Sequence, residues 1–180
     1  MATLDFEESG FRVSAPAPAF RFSDLKTYRA ASGRGLKEMD VCWLDASTTP
    51  ARLRMLELKG VEVWNTPPDD ASRPHEHLVR TCVQKATDTL LMFAGAWLST
   101  TWGQELAREM PSAFAPPPEG TRLRLVFLID IPETRRELLL PVRDKINSQL
   151  QGRVGVFDLQ QVAVIDFESA RKMGLPVTRP

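Results

Sequence analysis

Apolar and polar positions alternate with period two over residues 38–45, where Val41 and Trp43 interleave with Asp40, Cys42 and Leu44, and this predicts a strand. A turn containing Pro50 follows, and residues 52–59 form a second strand stopped by Gly60; residues 61–64 extend it or form an edge. From residue 74 to about 101 the period changes to that of a helix: Leu78, Cys82, Ala86, Leu90, Phe93 and Trp97 recur on one side, with His77, Arg80, Gln84 and Asp88 on the other. A short helix is expected over 102–110, and residues 123–131 read as a continuous apolar strand of a sheet covered on both faces. Pro132 opens a helix to about residue 151, which Pro141 should kink or split. Residues 154–157 and 161–167 read as one or two strands, and 168–173 as a short helix.

The front of the chain is less regular. Residues 1–19 are polar and then rich in Ala and Pro, which predicts an extended arm with little structure of its own. Ser23 and Asp24 can cap a helix running to about residue 31, broken by Ser32-Gly33-Arg34-Gly35. Residues 66–74 form a Pro- and Asp-rich loop. The expected fold is α/β, a single domain over 20–180 with a mixed central sheet flanked by helices.

Composition fits that reading. A chain of 180 residues that is 43% hydrophobic and 26% charged can build one globular core. The longest apolar run, 90–98, is well short of the roughly 20 residues that span a bilayer. The acidic first ten residues do not resemble a signal peptide, and Cys42 and Cys82 sit in apolar patterns as buried thiols do, so a reducing, cytoplasmic setting is expected. Net charge is zero, which argues against a protein that coats nucleic acid, though not against a local grip. Arg21, Lys26, Arg29, Arg34 and Lys37 face only Asp24 over residues 21–37; taken alone, that is a solvated basic face.

Chemistry concentrates on the two early strands. Glu57 and Lys59 are two apart and so share a face, and antiparallel pairing through the turn at Pro50 brings Asp40 opposite them. Two carboxylates can bind Mg²⁺ or Mn²⁺, with the Leu58 backbone carbonyl as a third ligand, and such a metal polarises a phosphoryl oxygen and acidifies a bound water. Lys59 can orient that water, help deprotonate it, or offset charge on the phosphate. The plainer reading of Glu57 and Lys59 is an exposed cross-strand charge pattern.

Asp40 followed by Glu57-Leu58-Lys59 resembles the PD-(D/E)XK nuclease superfamily, with its restriction-endonuclease-like core. Leu36-Lys-Glu-Met-Asp-Val41 and Leu56-Glu-Leu-Lys-Gly60 are similar to the corresponding segments of Holliday-junction resolvases and of Mrr-like and RecB-like nucleases. Met39 stands where the family's eponymous proline does, and Asp88 stands four residues after Gln84 where the RecB-like branch has Tyr. The resemblance implies a metal-dependent nuclease, most readily of DNA, in repair, recombination, restriction or mobile-element defence. It implies Asp40 and Glu57 as Mg²⁺ or Mn²⁺ ligands, Lys59 as the water-activating residue, and Gln84 (with Lys85 as backup) as the helix residue turned toward the site. Arg29, Arg34, Lys37 and Lys85 are the expected nucleic-acid contacts, and a homodimer or a targeting subunit the expected protein partner. Two alternatives stand beside this: a non-catalytic nucleic-acid-binding or assembly subunit on the same fold, and an unrelated α/β protein-interaction domain.

Other motifs carry less. His75 and His77 are spaced wrongly for two ligands on one helical face. Ser32-Gly33-Arg34-Gly35 lacks the Gly-Lys-Ser/Thr ending of a phosphate-binding loop. Among the tryptophans, Trp64 is the best placed for a nucleic-acid contact, although core or rim packing is the ordinary role of all four.

Overall fold

The computed structural model describes residues 2–64, 75–159 and 161–180; the loop expected over 66–74 lies outside the described residues. The chain opens with β1 (Thr3–Glu8) and β2 (Phe11–Pro16), an antiparallel hairpin with Glu8 opposite Phe11. Its turn is Ser9-Gly10, with φ of 53° and 76°. Two left-handed residues in a two-residue turn match the twist of the flanking strands. The arm expected to lack structure is therefore a hairpin. Its Ala-Pro composition conceals an alternation in which Phe11, Val13 and Ala15 are buried while Arg12 and Ser14 are exposed.

Next come β3 (Ala19–Phe20), α1 (Lys26–Ser32), β4 (Val41–Asp45) and β5 (Arg52–Lys59). Then follow α2 (Glu76–Trp97), α3 (Thr101–Glu109), β6 (Arg122–Ile129) and α4 (Leu139–Gly155). The chain ends with β7 (Ala163–Ile165), α5 (Phe167–Lys172) and β8 (Val177–Thr178). One mixed sheet runs in the order β3-β4-β5-β6-β7, and a small antiparallel sheet runs β1-β2-β8. β4 and β5 are antiparallel with Val41 opposite Leu56, whereas β5 and β6 are parallel along their whole length, Arg52 opposite Arg122 through Lys59 opposite Ile129.

The large sheet is buried on both faces. Odd positions of β5 and β6, such as Leu53, Met55, Leu125 and Phe127, pack with residues of α1 to α4. Phe20, Phe22, Phe93 and Phe114 meet there with centroids 4.9 to 6.1 Å apart, mostly edge to face, as aromatic quadrupoles favour. Even positions, Leu56, Leu58, Val126 and Leu128, pack with Phe11, Val13, Ala170 and Val177 from the small sheet and α5. The result is three layers: helices, mixed sheet, small sheet.

Besides the first hairpin, three stretches differ from expectation. Residues 61–64 are a 3₁₀ turn rather than an extension of β5. The helix expected from Pro132 is a 3₁₀ segment, Glu133–Leu138, followed by α4, and Pro141 falls in the first turn of α4, where its missing N–H breaks no intrahelical bond. The strand expected over 154–157 is instead the end of α4 and a turn: Val142, Ile146, Leu150 and Val154 are buried at every fourth position. Among the described residues no helix is long and apolar enough to cross a membrane.

Candidate functional site

The ladder between β4 and β5 ends at Val41 and Leu56, and the two strands part there. Beyond that point the groups of Leu58 that face β4 find side chains instead. The Leu58 N–H donates to Asp40 Oδ2 at 2.7 Å, and the Leu58 carbonyl accepts from Ser9 Oγ at 3.2 Å. The tip of the first hairpin thus closes the end of β5. Arg21 braces the same corner: Nε donates to the Asp40 carbonyl at 3.2 Å, Nη2 meets Glu8 at 3.0 Å, and its guanidinium lies 4.2 Å over the Phe6 ring.

Glu57 points the other way, under α2, and is 0% exposed. Its Oε1 lies 2.7 Å from Lys59 Nζ and 2.8 Å from Lys85 Nζ, but neither contact is aligned as a hydrogen bond. Lys85 Nζ also donates to Glu57 Oε2 at 2.9 Å and to Asp40 Oδ1 at 3.1 Å. Two carboxylates and two ammonium groups therefore form one cluster, with Asp40 8% exposed and the lysine side chains 16% and 17% exposed. Burial and the neighbouring Asp40 charge push the Glu57 pKa up to about 7, against the pull of Lys85 and Lys59. Burial pulls the Lys85 pKa down, but Glu57 and Asp40 outweigh it and leave the ammonium held above its ordinary range. Glu38, two residues before Asp40, also has its pKa raised by burial, countered in part by Lys85.

Helix α2 sets this geometry by gripping the segment that leads into β4. Thr89 Oγ1, fully buried, accepts from the Met39 N–H at 2.8 Å, and Asp88 accepts from the Lys37 N–H at 3.0 Å. Lys85, between the buried Cys82 and Thr89, is then turned to the sheet. Gln84 is exposed, and its Nε2 donates to the Gly35 carbonyl at 3.0 Å, so the expected order is reversed: Lys85 reaches the carboxylates and Gln84 ties down the loop before β4.

Asp40, Glu57, Lys59 and the Leu58 backbone come together as the strand pattern predicts. Arg29, Arg34 and Lys37 are exposed on α1 and the loop after it, away from the cluster's ion pairs. Trp64 is 2% exposed and its Nε1 donates to the Asp130 carbonyl at 2.6 Å, so its indole packs in the core and offers no stacking surface. His75 stacks edge to face on Trp64 at 4.3 Å, and His77 is exposed beside Arg80. Both thiols are buried and held protonated by desolvation, Cys82 up to about 12. Ser9 and Glu38 escaped the sequence reading as site residues, and Arg21, expected on a solvated basic face, instead braces Asp40; for Ser9 the signal was present, since Ser-Gly between two alternating segments marks a hairpin turn.

Among the described residues no three His, Cys, Asp or Glu side chains form a metal-holding group. The protein donors are the carboxylates of Asp40 and Glu57 and the Leu58 carbonyl. That set fits Mg²⁺, which keeps several waters and uses one or two carboxylates together with substrate phosphate. The Glu57 Oε1 atom lies between the Lys59 and Lys85 ammonium groups at 2.7 and 2.8 Å, and a metal would have to share it with them. Comparison with protein-family models, with curated proteins and with solved structures found no match to this chain.

Proposed function

We propose that this protein is a divalent-metal-dependent nuclease that hydrolyses phosphodiester bonds, most readily in DNA, on a restriction-endonuclease-like core. The observation that carries the proposal is the wholly buried Glu57, facing Asp40 with one oxygen lacking an aligned hydrogen bond, where β4 and β5 part. Burying two carboxylates side by side is costly, and perturbed groups of this kind concentrate where a protein holds a cation or moves a proton. The order α1, β4, β5, α2, β6 within one mixed sheet supports the same reading.

Asp40 and Glu57 would hold Mg²⁺ or Mn²⁺, with the Leu58 carbonyl beside them. When bound, the metal supplies Lewis-acid polarisation of the phosphate and a more acidic water. Lys59, 2.7 Å from Glu57, orients that water and offsets charge on the phosphate. Asp40 is fixed by its bond from the Leu58 N–H, so its remaining oxygen is aimed before any ligand arrives. Arg29, Arg34 and Lys37 lie on the chain that leads to Asp40 and can meet the nucleic-acid backbone.

The test is cleavage of single-stranded, double-stranded and branched DNA and RNA with Mg²⁺ or Mn²⁺, comparing wild type with Lys59→Ala and Glu57→Ala. Cutting by wild type that drops about 100-fold or more in both variants is the expected result. Cutting that survives both substitutions would sink the proposal.

A second reading has its own observation. Lys85 Nζ lies within 3.1 Å of both carboxylates, the place of a cation. If that ammonium holds the position permanently, the protein is a non-catalytic nucleic-acid-binding or assembly subunit. A folded wild type that binds nucleic acid and cuts none of the panel would favour it.

A further inference from the structure

Even-numbered positions of β5 and β6 face the small sheet, and at the ends of the two strands near the site they are apolar: Leu56, Leu58, Val126 and Leu128. At the opposite ends the same parity brings Arg52, Arg54, Arg122 and Arg124 to that face. The parallel register sets Arg52 beside Arg122 and Arg54 beside Arg124. Neighbouring strands lie about 4.8 Å apart and alternate residues about 6.6 Å apart, so four arginine side chains leave the sheet from one small area.

Like charges directly across a strand pair destabilise a sheet. Here two such pairs adjoin, and the fold answers them with a single carboxylate. Asp45 Oδ2 accepts from both Arg54 Nε and Nη2, at 3.0 and 2.8 Å, while its Oδ1 is held by Ser47. Arg122 and Arg124 are exposed and Arg52 half-exposed, and among the described residues none of the three has a carboxylate partner. Three unbalanced positive charges thus sit together on a chain of zero net charge. No part of the core needs them, because Leu53, Leu123 and Leu125 between them do the packing on the helix side.

We infer that this arginine quartet is a second nucleic-acid contact, gripping the phosphate backbone at a distance from the carboxylate cluster. Planar guanidinium forks suit phosphate oxygens, and several on a rigid sheet bind a repeating anion better than an isolated one. The surface is separate from the first site. Glu57 and Lys59 face α2, on the other side of the sheet, and Arg52 and Glu57 stand five positions apart along the strand, about 17 Å. A nucleic acid touching both must pass around the sheet edge, so the quartet sets affinity for long substrates and leaves the chemistry to the cluster.

The inference rests on the nucleic-acid part of the proposed function, not on cleavage, and its test is run in EDTA so that nothing is cut. Labelled duplex DNA and labelled single-stranded RNA are titrated by fluorescence anisotropy against wild type, Arg122→Gln/Arg124→Gln and Arg122→Lys/Arg124→Lys over a range of salt. The Gln pair is expected to weaken binding about 10-fold or more and to lower the slope of log affinity against log salt by about 2, with the Lys pair recovering most of the slope. Both positions are exposed, so an unchanged Tm confirms the fold. Equal affinity and slope in wild type and the Gln pair would overturn the inference, as would failure of wild type to bind either probe. Arginine-dependent binding by a protein that cuts nothing with Mg²⁺ or Mn²⁺ would remove the nuclease proposal alone. Metal-dependent cutting with arginine-independent binding would remove the quartet alone.

Discussion

Lys85 and the two carboxylates it joins decide what the cluster can do. With Lys85 present the four charges cancel, and a divalent ion must compete with an ammonium for the same oxygens. Lys85→Met leaves Asp40 and Glu57 with Lys59 alone. Breaking a buried ionic cluster in this way costs about 3–5 kcal/mol, so the variant is expected to melt well below wild type in EDTA. Mn²⁺ should then raise its Tm by more than it raises that of wild type, since binding to the native state stabilises it; a variant indifferent to Mn²⁺ would favour the non-catalytic reading. Glu57 gives a pH prediction. Its folded pKa is raised to about 7 from an ordinary 4.5, so between those values the folded state binds the extra proton. Stability therefore falls as pH rises through that window and is flat outside it, by as much as about 3 kcal/mol in total. Denaturant melts in EDTA at pH 5 and pH 7 should show this loss in wild type and not in Glu57→Gln. Asp40, Glu57 and Lys59 were legible in the sequence because strand periodicity and one short connection, residues 46–51, place them. The choice between Gln84 and Lys85 was not, because one residue is 100° of helix and the rotation of α2 is set by Thr89 and Asp88 gripping residues 37–39.

Among the elements, β5 and α2 follow their periodicity closely, since both bury a broad apolar face. The first hairpin was hidden because its inward residues, Phe11, Val13 and Ala15, are followed by an Ala-Pro run typical of linkers. The stretch 154–157 misled in the opposite direction: β-branched and aromatic residues end a helix there, where Val154 completes a one-in-four pattern that begins at Val142. The hairpin matters beyond its own stability, since it covers Leu56 and Leu58 and delivers Ser9 to the end of β5. Phe11→Ala should cost about 3–5 kcal/mol, the usual penalty for a buried ring. In chemical denaturation it is expected to lower the midpoint with little change in slope. A loss below 1 kcal/mol would show that the hairpin is not an integral part of the second core.

For the molecule as a whole, the α/β class and the mixed sheet could be read from the order of elements, because an antiparallel pair joined by a short turn and a later apolar strand leave few ways to build a sheet. The third layer could not, since β1, β2 and β8 come from the two ends of the chain and only tertiary contact joins them. The parallel contact of β5 with β6 has a consequence for how the protein is made. On a ribosome, β1 to β5 emerge early, and the hairpin and the β4–β5 pair are local enough to form at once. The other edge of β5 stays without its neighbour until residue 129 has left the exit tunnel. Throughout that interval an apolar strand shows its unpaired amides to solvent or to any neighbouring nascent chain, the condition under which strands join the wrong partner. Charged Arg52, Arg54 and Lys59 on that same strand act as gatekeepers during synthesis, before any of them has a task in the finished protein.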